Sequence, residues 1–125
     1  MESSSTPALT DDDGAAKILL RGQDDWVSLA EARFLVSLAE PGPPDAVRAA
    51  TLQAITLLVE HDLARLGELN PRFEPWSLSK DEGLQRVRRE WWDPELDLVP
   101  GNVVWIDNTP AGDEVARRIE AARDT

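Results

Sequence analysis

Apolar residues return every three or four positions along two long stretches of the chain. In the first, Leu29, Ala32, Leu35, Val36 and Ala39 fall on one helical face. It opens with Ser28-Leu29-Ala30-Glu31, a capping box in which the Ser28 hydroxyl accepts from the Glu31 N–H and the Glu31 carboxylate reaches back. It closes at Glu40-Pro41-Gly42-Pro43-Pro44, which no helix crosses. In the second, Asp45 is expected to cap a helix running to Glu60. Val47, Ala50, Ala54, Leu57 and Leu58 share its broad face beside Leu52, Ile55 and Val59. Apolar side chains take more than half of that circumference, so this helix is expected to be the most buried.

Beyond Glu60-His61-Asp62 the pattern changes. Leu63 to Leu69 predicts a short strand, with Asp62 as a left-handed cap on the helix before it. Asn70-Pro71 ends the strand, and a loop carrying Phe73, Pro75 and Trp76 leads to Ser79-Lys80-Asp81-Glu82, a second capping box. The helix that follows carries Leu84, Val87 and Trp91 on one face and stops before Asp93-Pro94. Pro100-Gly101-Asn102 predicts a turn, and Val103-Val104-Trp105-Ile106 a strand. Thr109-Pro110 predicts the start of a last helix with Val115, Ala116, Ile119 and Ala122 inward. Lys17 to Leu20 is apolar but too short to assign. Residues 1–14 carry four acids, no base and little beyond Leu9 to bury, which predicts a disordered acidic tail ahead of a single domain over 15–125.

Two short motifs give this order a resemblance. Leu58-Val59-Glu60-His61-Asp62-Leu63 is similar to the turn by which a core helix enters the first wing strand in winged-helix proteins of the MarR and PadR kind, with Asp62 where glycine is usual. Trp105-Ile106-Asp107-Asn108-Thr109-Pro110-Ala111-Gly112 resembles their second wing strand running into Leu-Thr-Pro-x-Gly, with Asn108 in the leucine position. The resemblance covers residues 45–69 and 103–123. It implies an α+β, mostly helical fold, winged-helix-like, with a two-stranded wing sheet; this chain departs from it by a helical insertion of about thirty residues expected between the wing strands, in place of a short basic hairpin. Its usual function would be transcriptional regulation through DNA binding by residues 45–60. Against that function, the Glu40–Pro44 connection is longer than a helix-turn-helix turn, and Arg48 is the one basic residue on the would-be reading helix.

Charge weighs the same way. The 125 residues hold 24 acids and 13 bases, a formal net charge of −11, whereas DNA phosphates demand clustered cations. Without cysteine there are no disulfides, thiol catalysis or thiolate metal sites, and His61 alone rules out most imidazole metal sites. No apolar run approaches a membrane span and no secretory pattern opens the chain, so a cytoplasmic protein is expected.

Catalytic constellations are weak. Ser77-Leu78-Ser79-Lys80 has serine–lysine spacing, but Ser79 is better explained as a helix cap. Asp11-Asp12-Asp13-Gly14 lacks the alternating ligands of a calcium loop. The pairs Asp24/Asp25 and Asp93/Glu95/Asp97 read as surface charge, and His61 as a helix-end residue. No enzymatic activity, cofactor, metal or small-molecule ligand is expected. The five tryptophans are more informative. Trp92 lies about 100° around the helix from the inward Trp91. It therefore either covers a second seam with Leu96 and Leu98 or stands exposed as an interaction anchor. Trp and Arg are the side chains that most often carry interface energy. Trp92, Trp76, Leu96 and the basic cluster Arg86, Arg88 and Arg89 are accordingly the expected surface of a small protein-interaction module, binding a protein partner or a second copy.

Overall fold

The computed structural model describes residues 7–99 and 103–123. Five helices and four short strands follow in the order α1 (Gly14–Gly22), β1 (Val27–Ser28), α2 (Leu29–Ala39), α3 (Pro44–Glu60), β2 (Ala64–Leu69), β3 (Phe73–Pro75), α4 (Lys80–Glu90), β4 (Trp105–Asn108) and α5 (Pro110–Arg123). The fold is thus α+β and mostly helical. Among the described residues no helix is long and apolar enough to cross a membrane.

The second capping box is complete: Ser79 Oγ accepts from Glu82 N at 3.1 Å while Glu82 Oε1 accepts from Ser79 N at 3.0 Å. The first is half formed, with Ser28 Oγ accepting from Glu31 N at 3.1 Å, while the Glu31 carboxylate goes to Arg21 Nε at 2.6 Å instead of reaching back. Asp62 adopts φ 59, and the chain turns with Leu63 N donating to Leu58 O and Asp62 N to Val59 O. That is a Schellman ending with aspartate in the left-handed position. The start of α3 differs from expectation: Pro43 is the cap residue and Pro44 opens the helix, while Asp45 lies in the first turn. Proline is favoured there because its missing N–H would have had no helical partner.

Three elements depart further from the expected outline. Lys17–Leu20 belongs to α1, whose Ala15, Ala16, Ile18 and Leu19 are buried. Gly14, the first residue of α1, lets the helix start close against α2, because a Cβ there would stand 3.0 Å from a Val36 methyl. Within residues 7–13, assigned to the tail, Thr10 and Asp13 close a turn on each other, Leu9 packs against the core and Asp11 Oδ2 stands 4.0 Å from Arg123 Nε. The remaining residues of the expected tail, 1–6, lie outside the described residues, as does the expected Pro100–Asn102 turn. The last strand covers Trp105–Asn108 rather than Val103–Ile106. Asn108 can end a strand inside the molecule because its amide donates to Leu19 O at 2.9 Å and Asp113 Oδ1 at 3.0 Å.

The sheet also has four strands where two were expected, antiparallel in the order β1-β4-β2-β3. The two anticipated strands do pair directly, Leu66 opposite Ile106 and Ala64 opposite Asn108, with β3 and α4 between them in sequence. Helices α1, α2 and α3 pack on one another, α5 packs on α1, and the core runs from Ile18, Leu29 and Val36 through Ile55 and Leu58 to Ile106 and Ile119. Thr51 is the one polar residue fully enclosed among these helices, and its hydroxyl donates to Val47 O at 2.7 Å. Gly112 lets α5 close on the sheet, because a Cβ there would stand 2.0 Å from Leu63 O.

Candidate interaction surface

Helix α4 lies against α3, and Arg48 fastens the two. Its Nε donates to Trp91 O at 2.6 Å and its Nη2 to Arg88 O at 3.2 Å, while the guanidinium sits 5.7 Å from the Trp91 ring centroid. A cation at the C-terminal carbonyls of α4 also meets the negative end of the helix dipole. Arg88 returns the contact through Nη2 to Thr56 Oγ1 at 3.2 Å. The one cation of α3 is therefore engaged inside the molecule. The exposed residues of that helix are Pro44, Asp45, Ala46, Ala49, Gln53 and Glu60.

The basic cluster is split. Arg86 stacks on Trp76 with its guanidinium 4.0 Å from the ring centroid and pairs with Glu90 at 3.0 Å. Arg89, three residues on, shares that face of α4 and lines a hollow with Arg86, Leu78 and Glu82. Arg88, about 100° around the helix from Arg89, turns instead to α3. Trp76 is half-buried against the core beneath Arg86, and it walls a hollow of about 300 Å³ with Leu66, Val59 and Pro75. It is thus a structural side chain rather than a free anchor. Leu96 is likewise half-buried against the core, and Leu98 is buried.

Trp92 is different. It is 72% exposed, directly after Trp91 at 0%. Of the two expected roles, covering a seam with Leu96 and Leu98 is therefore the one it does not fill. Leu78 and Val99 are exposed as well, and so, to a greater extent, are two apolar side chains of α2 that the sequence pattern did not single out: Phe34 at 60% and Leu38 at 57%. They sit four residues apart, on one side of α2. Neither belongs to the inward set of Leu29, Ala32 and Val36, which was the signal that could have found them. Phe34 lines a groove with Arg33, Ser37, Gly42, Pro44, Val47, Pro94 and Glu95, so the turn just after Trp92 forms its far wall. Arg33 Nη1 donates to Leu96 O at 3.2 Å across that wall, holding the 93–96 turn to α2.

The catalytic candidates have structural partners. Ser79 caps α4, and Lys80 Nζ pairs with Asp62 at 2.7 Å rather than with a serine. His61 is the exposed residue closing α3. Asp93 Oδ1 accepts from Glu95 N at 3.0 Å within its turn. Asp24 and Asp25 line a shallow hollow with Trp26, Asp107 and Asp113. Among the described residues no group of three or more His, Cys, Asp or Glu side chains could hold a metal ion. No protein-family model, curated protein or solved structure matches the chain.

Proposed function

We propose that the chain is a small protein-docking module, without catalytic activity, built on a winged-helix-like scaffold. The scaffold reading is supported by the order α1-β1-α2-α3-β2 followed by β4, with β1 beside β4 in the sheet. In such a scaffold α3 would be the helix that reads DNA. Here its exposed residues include two acids and no cation, and Arg48 is spent on the carbonyls of α4. Nucleic-acid binding needs cations aimed at phosphates, so the scaffold's usual use does not suit this surface.

The observation that carries the docking reading is the exposure of Trp92 at 72%, two residues ahead of Pro94 in the wall of the groove edged by Phe34. A bulky indole left in water gains most when a partner covers it. The test is site-specific photo-crosslinking in the native cell, with a benzophenone amino acid replacing Trp92 in the full chain. Discrete protein adducts at position 92, absent when the same group replaces exposed Arg118 on α5, are the expected result. Identical adduct patterns at both positions, or none at 92, would overturn the reading.

A further inference from the structure

We infer that the groove between α2 and the 93–95 turn takes a basic amphipathic helix of a partner protein. The inference rests on the docking reading and adds the chemistry of the partner. The groove's apolar lining is Phe34, Val47, Pro44 and Pro94, extended along α2 by Leu38 one turn further on. Glu95 lines the groove, Asp93 adjoins Pro94 in the chain and Asp45 adjoins Pro44. None of these three carboxylates is in an ion pair among the described residues.

The two cations close by, Arg33 and Arg48, direct their guanidinium groups to the backbone carbonyls of Leu96, Trp91 and Arg88. The rim thus presents uncompensated negative charge around apolar contacts, and the complement is an apolar stripe flanked by Lys or Arg. A helical occupant follows from the backbone. The walls are helix α2, the start of α3 at Pro44 and Val47, and the turn at Pro94, where Pro44 and Pro94 have no N–H to donate. An incoming strand would find no ladder there, whereas a helix brings its own hydrogen bonds and needs only side-chain contacts. A second copy of the chain fits poorly, since a twofold contact would set the same three carboxylates against themselves on chains of net charge −11.

The test uses the full-length ¹⁵N-labelled chain and a designed Leu–Lys peptide of about 14 residues, roughly four helical turns with leucines on one side. Two controls accompany it: a scrambled peptide of the same composition without an apolar side, and a Leu–Glu counterpart. Only the Leu–Lys peptide is expected to move the amide signals of residues 33–38 and 93–96 and the Trp92 indole signal. Its Kd should rise about fivefold or more between about 50 and 300 mM salt, as exposed charge pairs are screened. The double variant Phe34→Ala/Leu38→Ala should abolish the shifts, and Asp45→Asn/Glu95→Gln should weaken them while leaving the fold intact, because all four side chains are exposed.

Signals moving elsewhere, or equally with the scrambled peptide, would overturn the inference. Equal binding of the Leu–Glu peptide in the groove would overturn its charge argument and leave the docking reading standing. Sedimentation of a dimer that Phe34→Ala/Leu38→Ala converts to monomer would replace the partner helix by a second copy. Crosslinking at Trp92 scores the docking reading independently of all three results.

Discussion

Arg48 is the one cation on α3, and it donates to two carbonyls at the end of α4 while its guanidinium sits 5.7 Å from the centroid of the buried Trp91 ring. A guanidinium suits this position because its planar fork reaches two acceptors at once, which one ammonium does not reproduce. Charge-assisted hydrogen bonds of this kind contribute about 1.5–3 kcal/mol. Arg48→Ala is therefore expected to cost about 2 kcal/mol and lower the melting temperature. Amides near the end of α4 should lose hydrogen-exchange protection well before the core of α2. Arg48→Lys should recover only a minor part of the loss. An unchanged melt for Arg48→Ala would mean that α4 is held by its apolar side alone.

At the scale of elements, α4 is the addition that shapes the molecule, and its start is set by the Ser79/Glu82 box. The hydrogen bonds from Ser79, its backbone N–H first and its hydroxyl second, hold the Glu82 carboxyl below the usual glutamate range. A carboxyl depressed in the folded state adds stability above its unfolded pKa and loses it as pH falls through the folded value. The Cα chemical shifts of residues 80–84 are thus expected to drift toward coil values on acidification, ahead of global unfolding. Ser79→Ala should cost about 1 kcal/mol and produce much of that drift already at neutral pH. Shifts that stay constant down to the acid-unfolding transition would contradict this.

The elements differ in how plainly the sequence announces them. Helices α2 and α4 are legible because a capping box and a proline-rich or Asp-Pro stop bracket a clear apolar period. Strand β1 is only Val27–Ser28, too short for any period, and it exists because Val27 and Ser28 pair with Ile106 and Trp105. Helix α1 starts in small residues, Gly14-Ala15-Ala16, whose burial reflects neighbours supplied by α2, α3 and α5. Asp107 and Asn108 look like loop residues until Asn108 finds Leu19 O and Asp113, and Asp107 finds Arg65. On the surface, Trp92 was legible as one of two alternatives. Phe34 and Leu38 required knowing that nothing packs over the outer side of α2. The arginine cluster was legible only as composition, since each guanidinium goes where its turn of the helix aims it.

For the whole molecule, the arrangement proposed here is a DNA-reader topology turned to another use. Between the paired strands β2 and β4 the chain carries β3 and α4, and α4 occupies part of α3 through Arg48, Thr56 and Trp91. What α3 still presents to solvent is acidic, small or uncharged polar, on a chain with 24 acids and 13 bases. Among the described residues the large apolar side chains left exposed lie off α3, at Phe34 and Leu38 on α2, Leu78 ahead of α4, and Trp92 and Val99 after it. Such a surface should repel a duplex most strongly at low salt, where phosphate attraction would otherwise be greatest. The most direct measurement is fluorescence anisotropy of a labelled random-sequence duplex titrated with the full chain at low ionic strength. The expected result is no binding up to about 100 μM, at the weak end of ordinary non-specific affinity. Micromolar binding that weakens steeply with added salt would contradict it and restore α3 as a nucleic-acid-reading helix.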